Sequence, residues 1–510
     1  MKRVSQHTAL GLLGPIALGV MLGGCLSAGP DYVAPQIDTP ARWQDLNASE
    51  QAAAEAALRS DGESISMLEG FGLFQEEALM RLQERALANN QDLQVALVRF
   101  AQSRLQRGAV GSQNQPQLAA SGAASRQRQS ETGSATRLIS AIAGPNQSQE
   151  LIEFISDPFA LYQAGFDASW EPDLWGRVSR SIEAADARVD LAGANLAQWQ
   201  LGLLAEVARH YFELRGGQNQ SQLLQQDIAR NTQILELLEA RERAGLDNAI
   251  ERERQQIVMA QLRSNLAPLQ QQQASSLNAL SLLLGQAPGS LNDELSSSLA
   301  WSIAPMPDLA LGLPSDVVNS RPDIQASEAR LREATAQIGI AKADLYPRIT
   351  LGAGLGLETL DNSELGDWGS RQWSIGPRFS LPLFDQGRRK TNVLLRELQQ
   401  QEAAIAYQQV VLSAWHEVDN ALSRYSAERR QREALQDKLA HQQLALDLAQ
   451  ASYRNGMSNY LMALNLEQAV ANVRRELSQS DTRLALNLVG LFKSLGRSGP
   501  FAETMLAPAP

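Results

Sequence analysis

Several stretches of the chain alternate apolar and polar residues with a period of two. Over 349–357, Ile349, Leu351, Ala353, Leu355 and Leu357 alternate with Thr350, Gly352, Gly354 and Gly356. Over 373–383, Trp373, Ile375, Phe379, Leu381 and Leu383 alternate with Ser374, Gly376, Arg378 and Ser380. Tyr162, Ala164, Phe166, Ala168 and Trp170 repeat the pattern, and a weaker, Ala-rich strand is expected near 117–125. Such alternation predicts strands with one apolar face. At about 10–13 residues they match a tilted membrane-spanning strand. Period two fits a soluble half-buried sheet as well. Small or polar residues on one face, and aromatics near the strand ends, favour a barrel.

The rest of the pattern is helical and long. Arg177–Glu242 and Arg388–Tyr453 are each free of proline. At about 1.5 Å per residue each reaches roughly 100 Å, which suits a coiled coil rather than a globular domain. Ile182, Ala185, Val189, Ala192, Leu196, Trp199 and Leu203 follow the alternating three-four spacing of a coiled-coil seam. Gly216-Gly217 is expected to interrupt the first long helix, and Pro268 to bend the helix that returns from it.

The chain repeats itself. "DLQVALVRFAQSRLQRGAVGSQNQP" (92–116) aligns with "DIQASEARLREATAQIGIAKADLYP" (323–347), and "EPDLWGR" (171–177) with "PLFDQGR" (382–388). Gly245 aligns with Gly456, Asn248 with Asn459, and "LSLLLG" (280–285) with "LFKSLG" (491–496). The offset changes once, between Pro116 and Gly176, so the first copy carries about 20 extra residues around 127–157, in a loop that tolerates length. Each copy reads helix, proline, strand pair, Gly-Arg, long helix, glycine turn, returning helix. The expected organisation is a signal peptide at 1–24, a lipidated tether at 25–70 and a first repeat at 71–290. In that repeat the strand pair lies at about 117–170 and the tip near 245. A linker follows at 291–314, then a second repeat at 315–497, with strands at about 348–383 and a tip near 456. A tail closes the chain at 498–510.

Composition narrows the function. The net charge is −11 over 510 residues with no basic stripe, which argues against a nucleic-acid partner. The four histidines are scattered, no metal-site spacing is present, and no G-x-S-x-G, P-loop or H-E-x-x-H occurs, so neither an enzyme nor a cofactor is expected. The single cysteine, Cys25, ends a short apolar segment preceded by Lys2 and Arg3. "LGGC" (22–25) resembles a bacterial lipobox, which makes Cys25 the candidate lipidation site. Leu26, not Asp, follows it, as in lipoproteins addressed to the outer membrane.

Beyond this signal no run of 18 apolar residues exists, so any membrane crossing falls to the strands, in a closed barrel. Four strands cannot close and known barrels begin at eight, so the chain is expected to be an oligomer. Each chain then supplies two helical hairpins, one from each repeat, to a hollow tube whose far end is ringed by glycine turns.

"GPDYVAP", "ALANNQDLQVA" (86–96), "FDASWEPDLWGR" (166–177), "SRPDIQASEARLREATAQIGIAKADLYPRITL" (320–351), "SLPLFDQGR" (380–388) and "YRNGMSNYLMAL" (453–464) resemble the TolC-like outer-membrane efflux factors, in the OprM-type lipoprotein branch. The resemblance covers essentially the whole mature chain. It implies a mixed α+β membrane protein: a homotrimer with a 12-stranded outer-membrane β-barrel, continued by a long α-helical coiled-coil periplasmic barrel. It implies a passive export duct for drugs or other small toxic compounds, serving a periplasmic adaptor and an inner-membrane RND-type transporter. The family's apolar gate position falls on Leu461 and its acidic gate position on Asn465, a departure that removes the carboxylate ring. Glu251 and Glu253 are candidates for a neighbouring acidic ring, and Tyr453 for a link between inner and outer helices. Gly245, Asn248, Gly456 and Asn459 mark the tips expected to meet the adaptor. Trp170, Trp175, Trp368 and Trp373 are candidates for the interfacial belt. Competing readings are a duct dedicated to one cargo, a peptide or a metal cation, and a non-conducting structural envelope lipoprotein.

Overall fold

The computed structural model describes residues 27–38, 43, 74, 76–133, 145–245, 248–296, 320–458 and 460–496. The signal peptide, Cys25, most of the tether and of the linker, Asn459 and the tail lie outside the described residues. Fourteen elements carry the fold. They are α1 (Glu77–Asn89), α2 (Gln91–Gly111), β1 (Gln117–Gln127), α3 (Pro145–Ser156), β2 (Phe159–Trp170), α4 (Arg177–Arg243), α5 (Ala249–Ser264) and α6 (Leu266–Leu283). After them come α7 (Asn292–Leu295), α8 (Pro322–Ala343), β3 (Arg348–Thr359), β4 (Arg371–Ser380), α9 (Arg388–Arg454) and α10 (Tyr460–Leu495). The expected order holds in both copies, and α4 and α9 are each 67 residues long. No helix among the described residues is long and apolar enough to cross a membrane.

Glycines mark the repeat in three dimensions. Gly176 and Gly387 precede the long helices, Gly245 and Gly456 end them, and Gly285 and Gly496 end the returning helices, all six with positive φ. At Gly456 the cap is a Schellman motif: its N–H donates to the Tyr453 carbonyl and that of Met457 to the Ser452 carbonyl. The closing contact also recurs. Asn90 donates to the Leu283 carbonyl at 2.9 Å in the first copy. In the second, Arg321 donates to the Ser494 carbonyl at 2.7 Å.

The chain forms two compact units, and α2, α4, α8 and α9 pass from one to the other. The first holds the strands. They form one antiparallel sheet in the order β1-β2-β3-β4, with β1 and β4 at its edges. The connection between β1 and β2 spans residues 128–158 and that between β3 and β4 only 360–370, which places the extra length of the first copy. β4 ends at Ser380, so Leu381 and Leu383 do not extend the strand as the alternation suggested; Pro382 has no N–H to continue the ladder. An N-terminal strap crosses this unit. The Ala28 N–H donates to the Trp175 carbonyl at 2.9 Å. Gly29 packs on Gly339 so closely that a Cβ would lie 2.6 Å from the Gly339 Cα. Arg180 donates to Asp31 at 2.6 Å.

The second unit is a helical core. Leu79, Leu82, Tyr211, Phe212, Leu214, Leu280 and Leu284 are among its fully buried side chains, the leucines and Phe212 each stabilising by about 1.5–3 kcal/mol relative to exposure. Burial pushes the Tyr211 hydroxyl up to about 12, and the group donates to Glu76 at 2.8 Å. Gly216-Gly217 does not interrupt α4. Both are buried, and Gly216 lies where α10 crosses: a Cβ would lie 2.7 Å from the Thr482 Cγ2. The pair permits close helix approach. The returning helix of the first hairpin breaks at Asn265, earlier than Pro268. The Pro268 ring would meet the Ser264 carbonyl four residues back, so the helix restarts with the proline inside its first turn.

Candidate functional site

Register sorts the sheet into two faces. Ala119, Ser121, Asp167, Ser169, Thr350, Gly352, Gly354, Gly356, Ser374 and Arg378 share one. Leu118, Tyr162, Phe166, Trp170, Ile349, Leu351, Leu355, Trp373, Ile375 and Phe379 share the other. Only Phe159 and Leu161, at the loop end, put large apolar side chains on the polar face. Neither face is covered by the described residues: β1 is exposed throughout, β4 except at Gly376, β2 and β3 are exposed or half-buried, and Thr359 alone of the strand residues is buried. Among the described residues the sheet is polar on one side, apolar on the other and unpaired at both edges, the pattern that a segment of a barrel wall carries.

The tryptophans divide by role. Trp170 at the helix end and Trp373 toward the loop end stand on the apolar face, and Trp368 lies in the loop under the Arg371 guanidinium. These three suit the two aromatic girdles. Trp175 does not: it donates to the Pro347 carbonyl at 2.7 Å and stacks on Tyr346 at 4.9 Å, a packing role where strands give way to helices. Here too Glu171 accepts from Arg177 at 2.9 Å and from Arg348 at 2.8 Å. Burial pushes the Glu171 carboxyl up, but these hydrogen bonds outweigh it and hold the group below the usual glutamate range.

The glycine turns lie at the other ends of the long helices. Gly245 and Gly456 are left-handed with open space around the missing Cβ, so backbone conformation alone calls for glycine there. Asn248 caps α5 by accepting from the Ile250 N–H at 3.0 Å. Tyr453 is partly exposed and Met457 largely so. Leu461 lies in the first turn of α10, with its side chain outside the described set, and Asn465 is exposed one turn on. Just beyond, Ile234 and Leu238 of α4 pack with Leu464 of α10 in a small buried cluster.

The carboxylates near the first turn are compensated. Glu251 faces Arg254 at 3.5 Å. Arg252 bridges Glu253 at 2.8 Å and Glu242 at 3.2 Å. They form arginine-paired clusters rather than a row of free acids. Sequence reasoning missed a second feature, the polar link between α4 and α10. Buried Asp227 accepts from Arg475 and faces Arg230 at 3.4 Å, while Asn219 donates to the Ser478 hydroxyl at 2.8 Å. This link borders a cavity of about 360 Å³. A side-chain pair this far apart in sequence leaves no local spacing to detect.

The outer membrane efflux protein family model matches residues 82–286 and 313–497. The chain is 30% identical to the outer membrane protein OprJ of Pseudomonas aeruginosa over 94% of both chains. It is 28% identical to the toluene efflux pump outer membrane protein TtgI of Pseudomonas putida, covering 94% of this chain and 97% of the relative. It is also 28% identical to the cation efflux system protein CusC of Escherichia coli K12, covering 94% and 98%. Among solved structures, the outer-membrane channel OprN superposes with a TM-score of 0.79 at 28% identity, covering 92% of this chain and 99% of that one.

Proposed function

The chain belongs to the outer membrane efflux protein family and is the outer-membrane channel component of an efflux system; from that premise we propose how it closes, opens and docks. Three copies join β4 of one to β1 of the next and make twelve strands, with the polar faces lining the lumen and the apolar faces toward lipid. The observation that carries this is the two-faced sheet with both edges unpaired. Exposed apolar positions on α9, Leu398, Ile405 and Leu412 at seven-residue spacing, form a seam for a neighbouring copy. A structural lipoprotein that does not conduct has no use for a sheet whose apolar face, with Leu118, Phe166, Leu355, Trp373 and Phe379, stays exposed.

Cys25 carries the lipid. Support comes from Ser27, two residues later, which packs on Gly176 where the strands give way to α4: a Cβ there would lie 3.0 Å from the Ser27 Cα. The duct acts on its cargo by passage, not by chemistry. It closes at the ends of α9 and α10, where Tyr453, Leu461 and Asn465 narrow the aperture, and the tips at 243–250 and 454–461 receive a periplasmic adaptor bound to an inner-membrane RND-type transporter. Cargo is drugs or other small toxic compounds. A duct dedicated to metal cations is the second reading, since relatives named for toluene and for cations are equally similar.

The test is export in cells lacking their own outer-membrane channel. Arg243→Glu with Arg454→Glu should abolish drug resistance while trimers still form. Full resistance with both reversals would overturn adaptor docking at the tips.

A further inference from the structure

The polar face of the sheet is charged in order along its length. Arg348 and Arg378 lie toward the helix end, Asp167 lies at mid-height opposite Gly354, and Glu358 lies toward the loop end opposite Gln163. Arg348 is neutralised by Glu171. Asp167 receives one hydrogen bond, from the Ser121 hydroxyl at 3.3 Å, and Glu358 one from the Gln163 amide at 2.7 Å. Among the described residues no arginine or lysine pairs with either carboxylate. Around Asp167 the wall is low: Gly165, Gly352, Gly354 and Gly356 leave bare backbone beside the carboxylate. Beyond the strands the acidity deepens. The 360–370 connection carries Asp361, Glu364 and Asp367 and no basic residue. The 128–158 connection carries four carboxylates against two arginines.

The turn end of the molecule differs. The expected acidic gate position is Asn465, an amide without charge, and Glu251 and Glu253 are paired with Arg254 and Arg252. Fixed carboxylates lining a pore raise the local concentration of cations and lower that of anions, and paired ones do so far less. We infer that the cation preference of this duct is set on the strands, by Asp167 and Glu358 beneath an acidic outer mouth, and not at the helical tips. This rests on the reading of the chain as a conducting duct. Arg378 opposes it at the helix end, so the lumen is polarised along its axis. Solutes leaving toward the loop end are drawn outward if cationic and held back if anionic.

The experiment is the reversal potential of the purified, lipidated protein in planar bilayers under a KCl gradient at low ionic strength, where screening is weakest. It is read in the background of Tyr453→Ala with Leu461→Ala, expected to hold the tip open. The channel should prefer K⁺ over Cl⁻. Asp167→Asn with Glu358→Gln should lower the permeability ratio by about twofold or more, and Arg378→Gln should raise it. Asn465→Asp, at the tip, tests whether a carboxylate there competes. A ratio unchanged by the two strand substitutions overturns the inference and leaves the duct reading standing. Absence of any conductance in all variants, with trimers intact by mass, overturns the duct reading and the inference with it.

Discussion

Gly216→Ala is expected to loosen the contact between α4 and α10. On an isolated helix the change would stabilise, because alanine is favoured over glycine by about 1 kcal/mol. In this chain the new methyl would lie 2.7 Å from the Thr482 Cγ2 and 3.0 Å from its Cβ, and closer still to its hydroxyl. Thr482 cannot swing aside freely. It is β-branched, and its hydroxyl donates to the Ser478 carbonyl at 3.0 Å. Overpacking costs about 1–3 kcal/mol, and the upper half of that range applies because the Cβ is fixed to the α10 backbone. The net loss is about 1–2 kcal/mol, or roughly 5–30-fold in a local opening equilibrium. Amide hydrogen exchange followed by mass spectrometry reads this directly in peptides around 211–220 and 478–486. Thr482→Ala removes the two nearest atoms and should restore at least half of the lost protection in the double variant. Gly202→Ala on the same helix meets no atom within 4 Å and should slow exchange slightly. Unchanged or slower exchange in Gly216→Ala would refute the close-approach role and leave the pair as neutral helix glycines.

Gly339→Ala should lift the N-terminal strap, because the added Cβ would lie 2.7 Å from Arg180 Cγ and 2.9 Å from the Ala28 carbonyl oxygen; limited proteolysis should cut within 27–38 faster, with helicity at 222 nm unchanged. Glu171→Gln should destabilise the junction in a pH-dependent way. The Glu171 carboxyl is held below its ordinary value in the folded chain, so its contribution is complete above about pH 4.3 and disappears as pH falls through the lowered value. Exchange around 171–177 should therefore differ between wild type and variant at pH 7 and converge in acid. Asp227→Asn leaves Arg475 and Arg230 without their shared carboxylate and should raise exchange in 222–232 by about tenfold or more, since breaking a buried pair costs several kcal/mol; wild-type rates would contradict the link.

What was legible in the sequence was whatever has a period or a punctuation mark. The alternation of Ile349, Leu351, Leu355 and Leu357 gave the strand and its apolar face, and the paired glycines gave the turns and the duplication. Long helices announced themselves by the absence of proline. Misreadings came where one residue type serves two physical ends. Gly216-Gly217 is a helix breaker by propensity but a contact surface by packing, and only Thr482, far along the chain, decides between them. Pro268 broke its helix earlier than its own position because its steric conflict lies with the carbonyl four residues back. Trp199 fell on the predicted seam yet is half exposed, since a single chain lacks the neighbour that a three-four seam addresses. At the candidate gate, the missing charge at Asn465 is legible from residue identity alone. The pairing of Glu251 and Glu253 with arginines depended on side-chain placement that spacing does not specify.

The most direct test of the account is single-channel conductance of the purified, lipidated protein in planar bilayers, with its mass determined in the same detergent. The account predicts a trimer whose small, mostly closed conductance widens when Tyr453 and Leu461 are both replaced by alanine. A monomer that never conducts, as wild type or as that variant, would contradict it.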